Sequence, residues 1–179
     1  MSENEEVTTQ ALIYISSKLG GRATYHQASK VMYFADKEHL RKMGRPIFDT
    51  FYRAMENGPV PSLAYDILKS LRGKGPLQNR GEEFSEFLDP IGSYSFTSHA
   101  EFDPDNFSTL ELDSINHAID FCRGKDFKRL VEESHDSAWE KAGYNGVMDN
   151  VEMAKAAGSS DDVIVYLKDY LEINQSGFK

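Results

Sequence analysis

The sequence has one cysteine, no long apolar run and fewer basic than acidic residues, and each shortage excludes a class of protein. A single thiol, Cys122, can form neither an intramolecular disulfide nor a zinc site of four thiolates, and its place in the apolar run INHAIDFC predicts a buried, unreactive thiol. No apolar run approaches the roughly 18 residues that a transmembrane helix needs. The start of the chain, MSENEEVTTQ, has neither the basic nor the apolar region of a secretory signal. Together these absences predict a cytoplasmic protein with no membrane partner.

The charge balance limits the partners that the chain can bind. The sequence contains 29 acidic and 20 basic residues, which gives a net charge of −9. Because affinity for nucleic acid comes mostly from cations that release phosphate counterions, this balance argues against a nucleic-acid partner. Two local basic segments, HLRKMGR and KSLRGKG, keep open a DNA-binding transcriptional regulator with a winged helical fold as the alternative function. An acidic surface is better suited to solubility and to docking on a basic protein.

Apolar residues recur at helical spacing through most of the chain. The spacing predicts helices over residues 8–19, 25–43, 62–72, 108–122, 126–135, 137–143, 150–157 and 159–173. Residues 47–55, IFDTFYRAM, are rich in β-branched and aromatic side chains, which predicts a short strand. Residues 84–102 alternate aromatic and polar side chains around a Pro-Ile-Gly turn, which predicts a β-hairpin.

The predicted fold class is therefore mainly α, a compact helical domain with a small antiparallel β-hairpin or sheet element. We expect a flexible acidic N-terminus at residues 1–7, a single domain at 8–173 and a flexible C-terminus at 174–179. Capping residues support the helix bounds. Thr24 is suited to cap the second helix and Gly44 to end it, and Ser108 with Glu111 forms a capping box.

No combination of residues in the sequence has the pattern of a catalytic or metal site. Asp36 and His39 lie three apart on one predicted helix face, but a metal site needs a third and a fourth ligand from elsewhere. Ser, His and Asp are neighbours in SHDSAW, yet a catalytic triad depends on the fold and not on adjacency, and no G-x-S-x-G sequence is present. Phosphate-binding glycine motifs are also missing. The sequence predicts a protein that is not an enzyme and that uses no cofactor and no metal.

The stretch KVMYFADKEHLRKMGRPIFDTFYRAMENGPVP, residues 30–61, combines aromatic, acidic and basic side chains with backbone breaks. Neighbours such as Phe51 and Tyr52 point to opposite faces of any strand, so part of this aromatic surface is expected to be exposed. Exposed Tyr, Met and Arg are common in protein interfaces. Pro59 fixes the backbone before the next helix, and a rigid surface loses less entropy on binding. The predicted partner-binding residues are Tyr33, Asp36, Lys37, Arg41, Arg45, Tyr52, Met55, Asn57 and Pro59.

This stretch also resembles the Panacea domain, the family of SocA-like antitoxins and phage-associated GepA-like proteins. The blocks KVMYFADKEHLRKMGRPI and YRAMENGPVPSLAYDIL are similar to the family in sequence and in spacing, and SHDSAWEKAG is a weaker echo of a Thr-His-x-x-x-Ala-Trp segment. The similarity extends over residues 11–158. The chain departs from the family at residues 48–50, Phe-Asp-Thr in place of Thr-Gly-Asp, and at Asn57, which replaces an aromatic residue.

The resemblance implies a mostly helical fold and a binding function. It implies an antitoxin that neutralises a cognate toxin protein by direct binding, or that acts as an adaptor which delivers the toxin to a cellular protease. The sequence leaves open whether the chain forms a homo-oligomer.

Overall fold

The computed structural model describes the backbone of residues 1–176 and the side chains of residues 1–174. Within this range the chain is mainly α with two small antiparallel sheets, which confirms the predicted fold class. The helices are α1 (Glu3–Lys18), α2 (Tyr25–Met43), α3 (Ser62–Ser70), α4 (Gly81–Ser85), α5 (Thr109–Cys122), α6 (Phe127–Ser134), α7 (Ser137–Ala142), α8 (Asn150–Ala156) and α9 (Asp161–Ser176). The strands are β1 (Arg22–Thr24), β2 (Tyr52–Met55), β3 (Gly58–Pro61), β4 (Leu88–Ile91) and β5 (Ser95–Ser98).

Helix α2 is the centre of the fold, and its predicted bounds are confirmed. The side chain of Thr24 caps the backbone N–H of Gln27, and the side chain of Gln27 caps the backbone of Thr24 in return. Gly44 ends the helix at a φ of 64°, a left-handed conformation that glycine adopts without strain. Two hydrophobic clusters pack against α2, one with α1, α3, α5 and the three-stranded sheet, the other with α7, α8 and α9. The helix is therefore buried on nearly all sides.

The chain begins its first helix earlier than the sequence predicts. Helix α1 starts at Glu3 and not at residue 8, because Ser2 and Glu5 form a capping box. Arg80 donates to Glu5 across 2.6 Å, and the amino group of Met1 lies 2.7 Å from Glu83. These ion pairs link Met1 and Glu5 to the segment around α4, and the flexibility of residues 1–7 stays a prediction. The predicted flexible C-terminus, 174–179, begins within α9, and its residues 177–179 lie outside the described range.

The predicted β-hairpin is confirmed in β4 and β5, but it is shorter than residues 84–102 and it has a third strand. Phe84 belongs to α4, and β1 pairs with β5 from Arg22 opposite Thr97 to Thr24 opposite Ser95. Strand β1 was not predicted because its partner lies far away in the sequence. Among the described residues, no helix is long and apolar enough to cross a membrane.

Strands β2 and β3 form a second hairpin, with Tyr52 opposite Pro61 and Ala54 opposite Pro59. The sequence predicted β2, but it treated β3 only as a bend before α3. Proline can take part in the hairpin because Tyr52 and Ala54, which lie opposite the two prolines, bond outward to Met148, Asn145 and Gly146. The carbonyl of Pro59 is thus left to bond with another element.

Candidate functional site

A groove of about 870 Å³ opens between α2, α3 and the β2–β3 hairpin. The turn between β4 and β5, the start of α6 and the loop after α7 complete its walls. Its lining residues are Thr24, Tyr25, His26, Ser29, Lys30, Phe51, Arg53, Met55, Glu56, Asn57, Val60, Ser62, Tyr65, Asp66, Lys69, Pro76, Tyr94, Phe127, Tyr144 and Asn145. The volume is within the range of pockets that bind small molecules or side chains of a partner.

Aromatic side chains form the rim of the groove. Phe51, Tyr94, Phe127 and Tyr144 are each more than half exposed, and Tyr65 is more than a third exposed. They come from five separate segments, so that only the folded chain brings them together. An exposed apolar patch around a concave surface is typical of a site that binds another molecule. The exposure of Phe51 beside a buried Tyr52 confirms the predicted alternation of these two neighbours.

The floor of the groove contains a buried amine, that of Lys30. Its side chain is fully buried, and its Nζ donates to the carbonyl of Pro59 across 3.2 Å. No carboxylate of the described residues pairs with it. Burial lowers the pKa of Lys30 from 10.5 to about 7, although the nearby Cys122 thiol raises it slightly. The Lys30 amine is therefore close to the balance between its charged and neutral forms at neutral pH.

Two imidazole rings near Lys30 each have a buried nitrogen without a partner among the described residues. They are the Nε2 atoms of His26 and His135. His26 packs on Phe127 with ring centroids 4.2 Å apart, and His135 stacks on Trp139 at 3.7 Å. Burial first, and the charge of Lys30 second, lower the pKa of His26 to about 4, and the same causes lower the pKa of His135. The backbones of Asn57 and Glu56 act on His26 and His135, respectively, in the opposite direction. In both rings these causes favour the neutral imidazole.

The backbone comes close to the Lys30 amine because residue 58 is glycine. Gly58 has a φ of +94°, and a Cβ added there would lie 2.5 Å from Lys30 Nζ and would also overlap the hydroxyl of Ser134. Only glycine combines this conformation with this lack of volume. The Trp139 indole N–H donates to the carbonyl of Met55 across 3.0 Å and so fastens the same hairpin to α7.

The structure places only two of the predicted partner-binding residues, Met55 and Asn57, in the lining of the groove. Pro59 is buried and supports the floor through its carbonyl group. The structure corrects the predicted surface at Tyr33 and Tyr52, which are 0% and 1% exposed, because both rings pack in the core beside α7 and α8.

Asp36 is also buried, at 1% exposure, and it holds the fold together. Its Oδ1 accepts from the backbone N–H groups of Ile47 and Phe48 at 2.6 and 3.2 Å, and its Oδ2 accepts from the Tyr52 hydroxyl at 2.7 Å. Burial raises the pKa of Asp36 to about 7, while the three donors act in the opposite direction. The Asp36 carboxylate thus ties the turn after α2 and strand β2 to α2.

The three basic residues predicted to bind a partner differ in their contacts, and some of them connect elements of the fold. Lys37 shares the carboxylate of Asp136 with Tyr33, at 2.5 and 2.8 Å, which joins α2 to α7. Arg41 is exposed and pairs with Glu38 across 2.9 Å within α2. Arg45 lies 3.5 Å from Glu111 of α5. None of the three lines the groove.

The sequence did not single out Lys30 or His26, and of the rim residues it named only Phe51. Ala28, Val31 and Ala35 mark one inward face of α2 by their apolar spacing, while Lys30 lies on the other side of the helix. A helix that is buried on both sides conceals a second inward face from such a pattern. The rim could not be predicted because its residues are brought together only by tertiary contacts.

The arrangement is suited to binding through apolar contact and one buried cation. Burial raises the pKa of the Cys122 thiol to about 12, so the predicted buried, unreactive thiol agrees with its surroundings. Within the part of the chain that the structure describes, no three side chains of His, Cys, Asp or Glu are grouped as a metal site would require.

Comparison with known proteins identifies one family. The model of the family described as antitoxin SocA-like, Panacea domain, matches residues 29–140, which is more than half of the chain. The match includes Lys30, Gly58 and His135, and it leaves out His26 and Tyr144. Neither the curated proteins nor the solved structures include a significant match to the chain.

Proposed function

The chain belongs to the SocA-like antitoxin family with a Panacea domain, and from this premise we propose that it neutralises a cognate toxin protein by direct binding. The groove is the proposed contact surface. The observation that supports it is the rim, where Phe51, Tyr94, Phe127 and Tyr144 are exposed around a preformed concavity. Large, rigid aromatic side chains around a pocket are the residues that contribute most binding energy in protein interfaces.

The charges of the chain support a protein partner over a nucleic acid. The net charge is −9, and the lining of the groove includes the carboxylates of Glu56 and Asp66. Glu56 would repel a phosphate backbone that ran through the groove, and Asp66 already holds the charge of Lys69 across 2.8 Å. That the chain is not an enzyme, and that it acts in the cytoplasm, stay predictions. Delivery of the toxin to a protease is a variant of the same function. A shorter half-life of the bound toxin would distinguish it from neutralisation by binding alone.

The proposed function is tested with the protein encoded in the adjacent reading frame. We expect this protein to stop growth when it is expressed alone, and we expect co-expression of the chain to restore growth and to give a complex that co-purifies. A double variant of the rim, Phe127→Ala with Tyr144→Ala, should abolish both effects. The matched control is Tyr166→Ala, because Tyr166 is 53% exposed on α9 and does not line the groove.

Two results would contradict the proposal. One is growth that is unaffected by the neighbouring protein. The other is a rim variant that protects cells and retains the toxin as well as the unsubstituted chain does, which would remove the groove from the interface.

A further inference from the structure

The Lys30 amine is a buried cationic group for which the described residues provide no anion. By contrast, Lys37 bonds to Asp136 and Lys69 lies 2.8 Å from Asp66. A buried ammonium group without a counterion costs several kcal/mol of stability. Lys30 has only the carbonyl of Pro59 as acceptor, although an ammonium group has three N–H donors. The floor of the groove thus has unused hydrogen-bond donors.

Two further polar atoms lie near Lys30, in the rings of His26 and His135. The unpartnered Nε2 atoms of His26 and His135 are both buried, and the charge of Lys30 acts on both rings. Buried polar atoms are rarely left without a partner in native structures, and exceptions are found at functional sites. An anion that entered here would pair with Lys30 and would favour the protonated form of each imidazole, whose Nε2 then becomes a donor.

The other charged side chains of the groove indicate that the anion carries a single charge. Lys69 is already paired with Asp66, and Arg53 donates to the carbonyl of Asn145 across 3.2 Å. Glu56 is exposed in the lining. A polyanion would meet the Glu56 carboxylate, whereas a single carboxylate at the end of a side chain would meet Lys30 alone. Lys30 is fully buried, so an entering group must displace part of what covers the amine, and a side chain on a flexible stem does this with less disturbance than a chain terminus.

We infer that the groove binds a segment of the toxin in which apolar residues contact the aromatic rim and one Asp or Glu side chain extends to the Lys30 amine. This inference rests on the proposed function and specifies its chemistry. Lys30 is then a specificity-determining residue, because a toxin without the acidic side chain leaves a buried cation unpaired.

The test measures binding of the purified toxin to the full chain and to Lys30→Met. We expect the substitution to weaken binding about 10-fold or more, as the loss of a close charge pair at an interface does. Lys42→Met is the matched control, because Lys42 is exposed, pairs with Glu38 across 2.8 Å and does not line the groove, and we expect its affinity to change less than about 3-fold. Unfolding of both variants in urea is measured in parallel, and Lys30→Met should be at least as stable as the unsubstituted chain.

The acidic partner is identified in the toxin by replacing each Asp with Asn and each Glu with Gln. One replacement should weaken binding as strongly as Lys30→Met does, and combining the two should add little further loss. If every replacement combines additively with Lys30→Met, the inference is wrong. It is also wrong if a C-terminal extension of the toxin abolishes binding while all the acidic replacements bind normally, since the carboxylate would then be that of the chain terminus.

Failure of this inference and failure of the proposed function give different results. A toxin that does not bind the unsubstituted chain contradicts the function itself. A toxin that binds the unsubstituted chain and Lys30→Met with equal affinity leaves the function in place and overturns the role of Lys30.

Discussion

Helix α2 buries a carboxyl group and an amine, those of Asp36 and Lys30, and their surroundings differ. Asp36 accepts three hydrogen bonds that close the turn after α2 and anchor β2. Lys30 makes one hydrogen bond and lies near two imidazoles with unpartnered nitrogens. A buried charge with its partners in place holds elements of the fold together, whereas one with too few partners lowers stability. The difference suggests that Asp36 belongs to the scaffold and Lys30 to the site.

The largest expected effect is that of Asp36→Ala. The substitution leaves the N–H groups of Ile47 and Phe48 and the hydroxyl of Tyr52 buried without an acceptor, so we expect the free energy of unfolding to fall by roughly 3–5 kcal/mol. Unfolding in urea measures it, with Asp120→Ala as the control because Asp120 is 72% exposed at its side chain. A variant as stable as the control would return Asp36 to the surface role that the sequence predicted.

Lys30→Met is expected to raise the free energy of unfolding, because it replaces a buried amine by an apolar side chain of similar length. The folded pKa of Lys30 is about 7 and its ordinary value is 10.5, so between these values the unfolded chain binds more protons than the folded chain. Titration of Lys30 therefore makes the free energy of unfolding of the unsubstituted chain increase with pH between these two values. We expect the variant to be about 1–4 kcal/mol more stable at pH 7.

The measurement for Lys30 is the difference between the two unfolding curves from pH 7 to pH 10.5. Because all other titrating groups are shared, this difference isolates Lys30, and it should shrink as the pH rises. A constant difference would mean that Lys30 titrates normally and would undo the contrast with Asp36.

Gly58→Ala is expected to lower the stability by less than Asp36→Ala does. It forces a Cβ against the Lys30 amine and the Ser134 hydroxyl. Gly124→Ala is the matched control, because Gly124 also has a positive φ, of +76°, but has open space around it. Both variants lose stability from backbone strain, and Gly58→Ala should lose about 2 kcal/mol more from overlap. Thermal unfolding compares them. Equal losses of stability would show that a Cβ at residue 58 does not clash with Lys30 and Ser134.

The smallest effect is expected for Arg41→Glu on the exposed side of α2. Arg41 pairs only with Glu38 at the surface, and such pairs contribute about 0.5 kcal/mol. The stability should therefore stay within about 1 kcal/mol of the unsubstituted chain, and toxin binding should be retained because Arg41 does not line the groove. Strong loss of binding with normal unfolding would instead restore the surface predicted from the sequence.

The sequence predicts those features that depend on neighbouring residues. The caps of α2 and α5 were predicted because Thr24 and Ser108 bond to the backbone three residues onward. Strands β1 and β3 were missed because each has only three or four residues and because β1 pairs with a strand some 70 residues away. The charge of Asp36 was assigned to the surface, since periodicity alone does not show that the turn after α2 folds back over it.

The stacking of Trp139 on His135 has a practical consequence. Trp139 is the chain's single tryptophan, so the intrinsic fluorescence of the whole protein reports on one indole. Imidazolium quenches indole emission more strongly than neutral imidazole does. An anion that reached the amine and charged His135 would therefore dim this emission, giving an optical signal of occupancy that needs no added dye.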